Sequence, residues 1–254
     1  MKLSFIGNGS MAKALIQGLV SSYEIEVIGR NEKTLQELKD KIPNIQIVQL
    51  TNNLDINEKN IILCVKPNSL ENLSQNIKGK ANSLYSVLAG TTIETLKQNI
   101  QANSYIRTMP NLAAKYEKSM TTITGDENIK QSAIDIFNSI GTTLWLSSQK
   151  ELDIATGLAG SGPAFLALIA EALSDGAVNA GLKRDDANIL TAGLFEGFAP
   201  LIKNENASNI KDAVMSPGGT TAAGYAVLEK NGVRNAMIEA IAKAYDKAIE
   251  LSKK

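Results

Sequence analysis

A glycine-rich stretch near the N-terminus has the residue types and spacing of a dinucleotide-binding site. Residues 7–12 read G-N-G-S-M-A, a G-x-G-x-x-A pattern that follows a short apolar run and opens a helix-like segment. That is the context this motif requires. Gly7 would allow the tight turn, Gly9 would let the backbone approach a pyrophosphate, and Ala12 would permit close packing of helix on strand. The alternative is a glycine turn without a ligand. The cofactor-binding residues expected here are Ile6, Gly7, Asn8, Gly9, Ser10 and Met11.

The end of the second strand-like segment indicates which dinucleotide fits. An NAD site usually places an acid about 20 residues after the motif, but this chain has Ile28-Gly29-Arg30-Asn31 there. Arg30 can pair with the 2′-phosphate of NADP, so the pattern favours NADPH over NADH. The alternative is a solvated arginine on a loop. Arg30 and Asn31 are added to the expected cofactor-binding residues.

Later strand candidates end in residues that could complete a cofactor crevice. Cys64-Val65-Lys66-Pro67 closes a buried apolar run with a charge and a proline, and in open α/β sheets the carboxyl ends of the strands form the ligand crevice. Lys66 could touch the cofactor edge through its backbone, or form a structural ion pair with an acid such as Glu171. Asn53 and Asn111 could line the crevice or cap loops. The cofactor contacts expected here are Asn53, Val65, Lys66, Pro67, Ala89 and Asn111.

A second unusual stretch lies in the C-terminal part of the chain. Residues 215–224 read M-S-P-G-G-T-T-A-A-G between two helical patterns. Glycine gives up backbone entropy and proline gives up an amide donor, and core packing does not require both at one place. One interpretation is a turn between helices followed by a threonine N-cap. The other is a site where the chain comes very close to a ligand.

Two kinds of structure must position these stretches. Up to about residue 149, strand-like and helix-like segments alternate, which predicts an α/β fold with a parallel, doubly wound, Rossmann-like sheet. Beyond it we find no convincing strand, and apolar residues recur at helical spacing. We therefore predict a Rossmann-like NADP-binding domain over residues 1–149 and an all-helical substrate-binding and dimerisation domain over residues 150–254. The strand candidates are Leu3–Ile6, Ile25–Ile28, Ile45–Val48, Ile61–Val65, Ser83–Leu88, Tyr105–Met109, Thr121–Thr124 and Thr142–Leu146.

The composition excludes several kinds of chemistry. The chain has 254 residues, no histidine and one cysteine. This excludes histidine acid–base catalysis, Ser-His-Asp triads and histidine-ligated metal. It also excludes an internal disulfide and a metal cage of cysteines, so no metal site is expected. The chemistry must come from a cofactor, from hydroxyls, lysines or carboxylates, or from backbone groups.

Charge and hydropathy argue against nucleic acid and membranes as partners. Lysine plus arginine number 26 and aspartate plus glutamate number 26, so there is no electrostatic reason to bind nucleic acid or an anionic membrane. The apolar run at the N-terminus is too short for a signal peptide. The longest later run, Pro163 to Ala170, is far shorter than the roughly 20 residues of a membrane span. We expect a cytoplasmic protein.

Taken together, the motifs resemble those of the pyrroline-5-carboxylate reductase family. The stretch S-P-G-G-T-T at residues 216–221 is the most specific, and G-S-G-P-A at 160–164 and V-K-P at 65–67 support it. The resemblance covers essentially the whole chain. It implies reduction of the cyclic imine 1-pyrroline-5-carboxylate to L-proline, the last step of proline biosynthesis, with NADPH preferred and NADH as the alternative. It also implies a homodimer with interleaved helices, whose site bridges one subunit's cofactor domain and the partner's helical domain; a higher oligomer of dimers is compatible with it.

The resemblance gives the C-terminal stretch a role. Successive backbone amides in a glycine turn can form an anion-binding nest, and a helix that begins near Thr221 would add donors. This suits the substrate carboxylate. Thr221 would direct its hydroxyl to the imine nitrogen, either as the proton donor or to orient the ring while water donates. The expected substrate-binding residues are Ser216, Gly218, Gly219, Thr220 and Thr221, with Thr221 as the catalytic residue.

Two other functions compete with this interpretation. A β-hydroxyacid dehydrogenase also joins a dinucleotide domain to helices, but it uses a catalytic lysine on a helix of the second domain. This chain has no lysine in a comparable small-residue setting there. A non-catalytic NADP sensor would keep the fold, yet it would not need the substrate-side stretch.

Overall fold

The computed structural model describes residues 1–252, which fall into two compact units. The sheet unit comprises Met1–Ser161 together with the stretch from Ala242 onward, and the helical unit comprises Gly162–Ile241. The sequence-based boundary at residue 149 follows the end of the strands, whereas these units are separated by packing. That boundary stays a prediction.

The elements alternate along the sheet unit and are all helical afterwards. The strands are β1 (Lys2–Ile6), β2 (Glu24–Gly29), β3 (Ile45–Gln49), β4 (Leu54–Asp55), β5 (Asn60–Leu63), β6 (Ile77–Lys78), β7 (Ala81–Ser86), β8 (Ala102–Met109), β9 (Ser119–Gly125) and β10 (Gly141–Trp145). The α-helices are α1 (Ser10–Leu19), α2 (Glu32–Lys41), α3 (Leu70–Ser74), α4 (Ile93–Asn99), α5 (Lys130–Asn138), α6 (Gln149–Ala155), α7 (Gly162–Asn179), α8 (Arg184–Asn204), α9 (Ala207–Val214), α10 (Thr220–Lys230) and α11 (Val233–Ser252). Short 3-10 helices span Pro67–Ser69, Leu112–Tyr116 and Glu127–Ile129, and a π-helical segment spans Thr156–Gly160.

The main sheet has eight strands in the order β10-β9-β8-β7-β5-β1-β2-β3. Six of them, from β8 to β3 in that order, are parallel to one another. Apolar side chains of these strands pack on both faces of the sheet, against α1, α2 and α5 on one face and α3 and α4 on the other. The predicted doubly wound, Rossmann-like sheet is confirmed, and every strand candidate overlaps a strand.

The last two strands reverse direction. β9 pairs antiparallel with β8, and β10 then runs parallel to β9. The connection from residue 110 to 118 carries only a short 3-10 helix. A parallel crossover needs about a dozen residues or more, so this connection is too short to return the chain to the starting edge of the sheet.

The end of α11 belongs to the sheet unit. Gly90 follows β7, and a side chain there would collide with Leu251 and approach the carbonyl oxygen of Ala248 at 3.0 Å. Ala248 is correspondingly buried. The last turns of the chain therefore cover the loop at the carboxyl end of β7.

The helical unit exposes much of its apolar surface. α7 and α8 pack on each other, and Ser174 on α7 is buried between them, with its hydroxyl donating to Asn188 Oδ1 at 2.7 Å. By contrast, Leu168 and Ile189 on the same two helices are 67% and 71% exposed. Exposed apolar surface of this extent marks an interaction site.

One helical segment is long and apolar enough to cross a membrane by length and composition alone. It spans Gln149–Asn179, its most apolar window has a mean hydropathy of 1.5, and only 17% of that window is buried. The uninterrupted run from Pro163 to Ala170 understates this property, because alanine and aliphatic residues on both sides of it keep the mean hydropathy high.

Glu26 is a charged side chain that the sheet unit buries, with 6% of the residue exposed. Burial alone would raise the pKa of its carboxyl group. Hydrogen bonds from Lys2 Nζ at 2.8 Å, Lys59 Nζ at 2.7 Å and Ser4 Oγ at 2.9 Å together outweigh burial and lower that pKa below its usual value. The fold therefore holds the charged form.

Glu26→Gln should lower the free energy of unfolding at pH 7 by about 1–3 kcal/mol, because two lysines lose their charged acceptor. A pKa lowered by folding stabilises the fold above the unfolded-state pKa of about 4.3, and the stabilisation is lost as the pH falls through the folded-state pKa. The difference between wild type and variant should therefore shrink below about pH 4. Urea unfolding across acidic pH measures it, with exposed Glu24→Gln on the same strand as control. A difference that stays constant down to pH 2 would contradict this account.

Candidate functional site

A cavity of about 260 Å³ lies at the carboxyl ends of β1, β2 and β5 in the sheet unit. The loop after β1 forms its floor, the loop after β2 one side, and the segment after β5 the other. Its lining residues are Ile6, Gly7, Asn8, Gly9, Ile28, Gly29, Arg30, Leu50, Cys64, Val65, Lys66, Ser69, Asn72 and Leu73. This is the edge at which open α/β sheets bind ligands.

Different structural features explain why glycine occupies each of the two positions, 7 and 9, in the motif. Gly7 has a φ of +105°, and a β-carbon there would lie 2.6 Å from the carbonyl oxygen of Cys64, so the neighbouring strand excludes any side chain. At Gly9 a β-carbon would meet nothing within 4 Å among the described residues. The packing of the chain does not require glycine at Gly9. Space left open at the start of α1 is what close approach of a pyrophosphate would use.

The first turn of α1 can bind an anion. Gly9 is its N-cap, and no side chain within residues 1–252 caps it. Its first N–H groups therefore keep hydrogen-bonding capacity, and the helix dipole favours a negative charge there. With Arg30 on the neighbouring wall and no acidic residue among those that line the cavity, the residues present fit a 2′-phosphorylated dinucleotide.

The structure brings seven of the predicted cofactor residues together in the cavity: Ile6, Gly7, Asn8, Gly9, Arg30, Val65 and Lys66. Seven others do not line it: Ser10, Met11, Asn31, Asn53, Pro67, Ala89 and Asn111. Ser10 and Met11 form the first turn of α1 at its edge. The side chain of Asn31 caps α2 by accepting from the Thr34 N–H at 3.1 Å, and Asn53 lies in a turn with a φ of +66°. Lining the cavity is not contact with a cofactor, so cofactor contacts by both groups of residues stay predictions.

Asn111 is engaged at both ends of its side-chain amide. Its Oδ1 accepts from the Ala113 N–H at 3.0 Å, which caps the 3-10 helix, and its Nδ2 donates to the Ala159 carbonyl at 3.0 Å. Asn111 thus caps the 3-10 helix and also binds a carbonyl of the π-helical segment, which matches the loop-capping alternative.

Seven lining residues were not among the predicted cofactor contacts. Three of them, Ile28, Gly29 and Cys64, adjoin predicted residues, and the other four are Leu50, Ser69, Asn72 and Leu73. Leu50 follows β3, and the other three lie in the helical turns after β5. For Ser69, Asn72 and Leu73, the signal in the sequence is their position after Lys66-Pro67, at a strand end already expected to border the crevice.

Cys64 forms part of the cavity wall without taking part in its chemistry. Burial raises the pKa of its thiol well above the usual range. The thiol therefore stays neutral near neutral pH and is a poor nucleophile.

The C-terminal stretch forms a type II β-turn in the helical unit. The Gly219 N–H donates to the Ser216 carbonyl at 3.0 Å, and Gly218 has a φ of +72°. Such a turn favours proline at its second position and requires a positive φ at its third. The turn alone therefore accounts for Pro217 and Gly218.

The residues after the turn are not explained by it. Gly219 is the N-cap of α10, and no side chain that the structure describes caps this helix. A side chain at Gly219 would collide with the Ser216 hydroxyl. Thr220 and Thr221 occupy the first turn of α10 with exposed side chains. Two hydroxyls and uncapped N–H groups at one helix start can accept an anion.

Comparisons with known proteins bear on both units. Residues 149–251 match the family model described as pyrroline-5-carboxylate reductase dimerisation, and residues 2–90 match the one described as NADP oxidoreductase, coenzyme F420-dependent. A pyrroline-5-carboxylate reductase of Helicobacter pylori (strain J99) is 35% identical over 246 residues, which cover 94% of this chain and 95% of that protein. The chain belongs to the pyrroline-5-carboxylate reductase family.

Solved structures of this family share the fold over almost the full length. The 1-pyrroline-5-carboxylate reductase of Streptococcus pyogenes has a TM-score of 0.88 at 29% identity and covers 98% of both chains. The pyrroline carboxylate reductase of Plasmodium falciparum, solved with NADP bound, has a TM-score of 0.84 at 27% identity and covers 99% of this chain and 100% of that one.

Membership of the pyrroline-5-carboxylate reductase family confirms the predicted function, fold class and NADPH use. The chain is an NAD(P)H-dependent oxidoreductase that acts on a C=N bond, and neither a hydroxyacid dehydrogenase nor a sensor. The dimerisation model supports a homodimer. The exposed apolar side chains of α7 and α8 lie within the residues that match this dimerisation model.

Proposed function

We propose how this chain performs its family's reaction, the NADPH-dependent reduction of 1-pyrroline-5-carboxylate to L-proline. The cavity of the sheet unit takes the adenosine half of the cofactor, with the pyrophosphate at the N-terminus of α1 and the 2′-phosphate on Arg30. The observation that carries this assignment is the open space at Gly9, which lies beside the uncapped N-terminus of α1 in a cavity that Arg30 also lines.

The substrate is assigned to the start of α10. The carboxylate of the cyclic imine accepts hydrogen bonds from the backbone N–H groups after the type II turn and from the hydroxyls of Ser216 and Thr220. Without a histidine in the chain, the hydroxyl of Thr221 is the group proposed to contact the ring nitrogen.

The reaction does not require a strong acid or a strong base from the protein. NADPH, when bound, supplies the hydride. The protonated C=N group accepts it at carbon, the π electron pair becomes the nitrogen lone pair, and the nitrogen keeps its proton. A threonine hydroxyl can donate to that nitrogen or accept its proton in a hydrogen bond. Its contribution is to orient the ring and hold the proton in place.

The direct test mixes the purified protein with 1-pyrroline-5-carboxylate and NADPH, and follows the absorbance of the reduced nicotinamide together with the appearance of L-proline. We expect one proline formed for each NADPH oxidised. Oxidation of NADPH with a 3-oxo acid, the oxidised form of a β-hydroxyacid, but not with the cyclic imine would reject the proposed substrate.

Arg30→Ala should weaken NADPH binding by about 10- to 100-fold, the effect of losing a hydrogen-bonded charge partner, and should leave NADH binding nearly unchanged. Fluorescence titration with each nucleotide measures both dissociation constants. Lys33→Ala, at an exposed neighbouring position on α2, is the matched control. Equal NADPH affinity in wild type and Arg30→Ala would remove Arg30 from the site.

The assembly is proposed to be a homodimer formed through the helical unit, with dimers able to associate further, acting in the cytoplasm without nucleic acid or membrane partners. The balanced charge of the chain supports the proposed absence of nucleic acid and membrane partners. Sedimentation at micromolar concentration distinguishes dimer from larger assemblies.

A further inference from the structure

The two loops that flank the cofactor cavity are joined by one side chain outside it. The hydroxyl of Thr34, in the first turn of α2, accepts a hydrogen bond from Asn8 Nδ2 at 2.9 Å and donates to the Asn31 carbonyl at 3.0 Å. Asn8 belongs to the glycine loop after β1, and Asn31 follows Arg30 in the loop after β2. Thr34 therefore uses its donor and an acceptor at once to bridge the two loops.

The loops also approach each other closely beside this bridge. A β-carbon at Gly29 would lie 3.3 Å from Asn8 Oδ1 and 3.0 Å from a methyl group of Leu35. The Asn8 side chain thus packs directly against the end of β2. Its amide is held on one side by this contact and on the other by the Thr34 hydroxyl.

We propose that Thr34 is a positioning residue that sets the distance between the pyrophosphate loop and Arg30, and thereby the preference for a 2′-phosphorylated nucleotide. The inference rests on the proposed role of Arg30. The pyrophosphate and the 2′-phosphate are separated by a ribose of fixed geometry, so a ligand that contacts both loops depends on their spacing. NADH lacks the 2′-phosphate and depends far less on the position of the second loop.

Thr34→Val keeps the shape of the side chain and the backbone N–H that Asn31 caps, but removes the hydroxyl. We expect the preference for NADPH, measured as the ratio of the NADH and NADPH dissociation constants, to fall about 3- to 10-fold, the effect of one lost hydrogen bond between positioned groups. Thr34→Ser restores the hydroxyl and should restore the ratio. Thr95→Val is the matched control, because Thr95 occupies the equivalent position in the first turn of α4, bonded to the capping residue Thr92, and does not line the cavity.

The second arm repeats Thr34→Val in an Arg30→Ala background. If Thr34 acts through Arg30, the ratio should not change further there. A merely structural role would weaken NADPH and NADH binding equally, or would lower the unfolding temperature without changing the ratio, and either result overturns the proposal. So does a serine variant that fails to restore the ratio. A wild-type protein without NADPH preference, or an Arg30→Ala variant that keeps it, would instead refute the assignment of Arg30.

Discussion

Thr221→Ala should lower turnover with saturating NADPH and substrate by about 10- to 1,000-fold, the range for a lost acid–base or oriented-donor contribution. The reason is that Thr221 stands at an uncapped helix start with an exposed hydroxyl, in a chain with no histidine to replace it. Steady-state kinetics in both substrates measures the effect, and binding of NADPH alone should be unchanged.

Thr221→Ser separates the chemistry from the architecture of the helix. Serine keeps the hydroxyl and should retain most of the turnover. Because the N-cap is Gly219 and not this threonine, the alanine variant should fold normally, which thermal unfolding checks. Wild-type turnover in the alanine variant would show that the residue only shapes the turn.

Asp153→Ala should produce the largest loss of stability among the single substitutions considered, about 3–5 kcal/mol. Asp153 on α6 pairs with Arg107 on β8 at 2.7 Å, and only 1% of the arginine side chain is exposed. Removing the carboxylate leaves a buried guanidinium with Gln149 Oε1 at 3.3 Å as its remaining side-chain partner among the described residues. The midpoint of thermal unfolding should fall by roughly 6–20 °C for a chain of this size.

Two variants distinguish a buried unpaired charge from general damage to α6. Asp246→Ala breaks the exposed Lys243–Asp246 pair and should hardly change the midpoint, because exposed pairs contribute little. Arg107→Met combined with Asp153→Leu removes both charges and should recover much of the lost stability. A double variant as unstable as Asp153→Ala would show that packing, not charge, explains the loss.

The sequence predicted the central strands well because their pattern has one physical cause. Ile61–Val65 is continuously apolar and Leu3–Ile6 is apolar apart from Ser4, since both segments are buried on both faces of a parallel sheet. The reversal at β9 was missed because strand direction depends on the length of the connection, not on the residues of the strand. β4 and β6 have two residues each, too few for any periodicity.

Part of the candidate site could likewise be predicted from the sequence, and part of it could not. Its glycine loop and Arg30 are local features of a strand–turn–helix and could be read directly. Ser69 and Asn72 reach the cavity only because the chain crosses from β5 into α3 at a particular angle, and no local pattern encodes that angle. At Ser216–Gly219 the sequence left a turn and a ligand site open, and the type II geometry accounts for Pro217, which it favours, and for Gly218, whose positive φ it requires, whether or not a ligand binds.

The return of α11 to the sheet unit has a consequence for biosynthesis. The residues from Ala242 onward that cover Gly90 are made after the entire helical unit. A nascent chain on the ribosome can thus form the sheet early, but the loop after β7 stays uncovered until the last turns of α11 emerge. The sheet unit therefore cannot be completed until the helical unit has been translated. The order of synthesis thus makes the final folding of the sheet unit depend on synthesis of the helical unit.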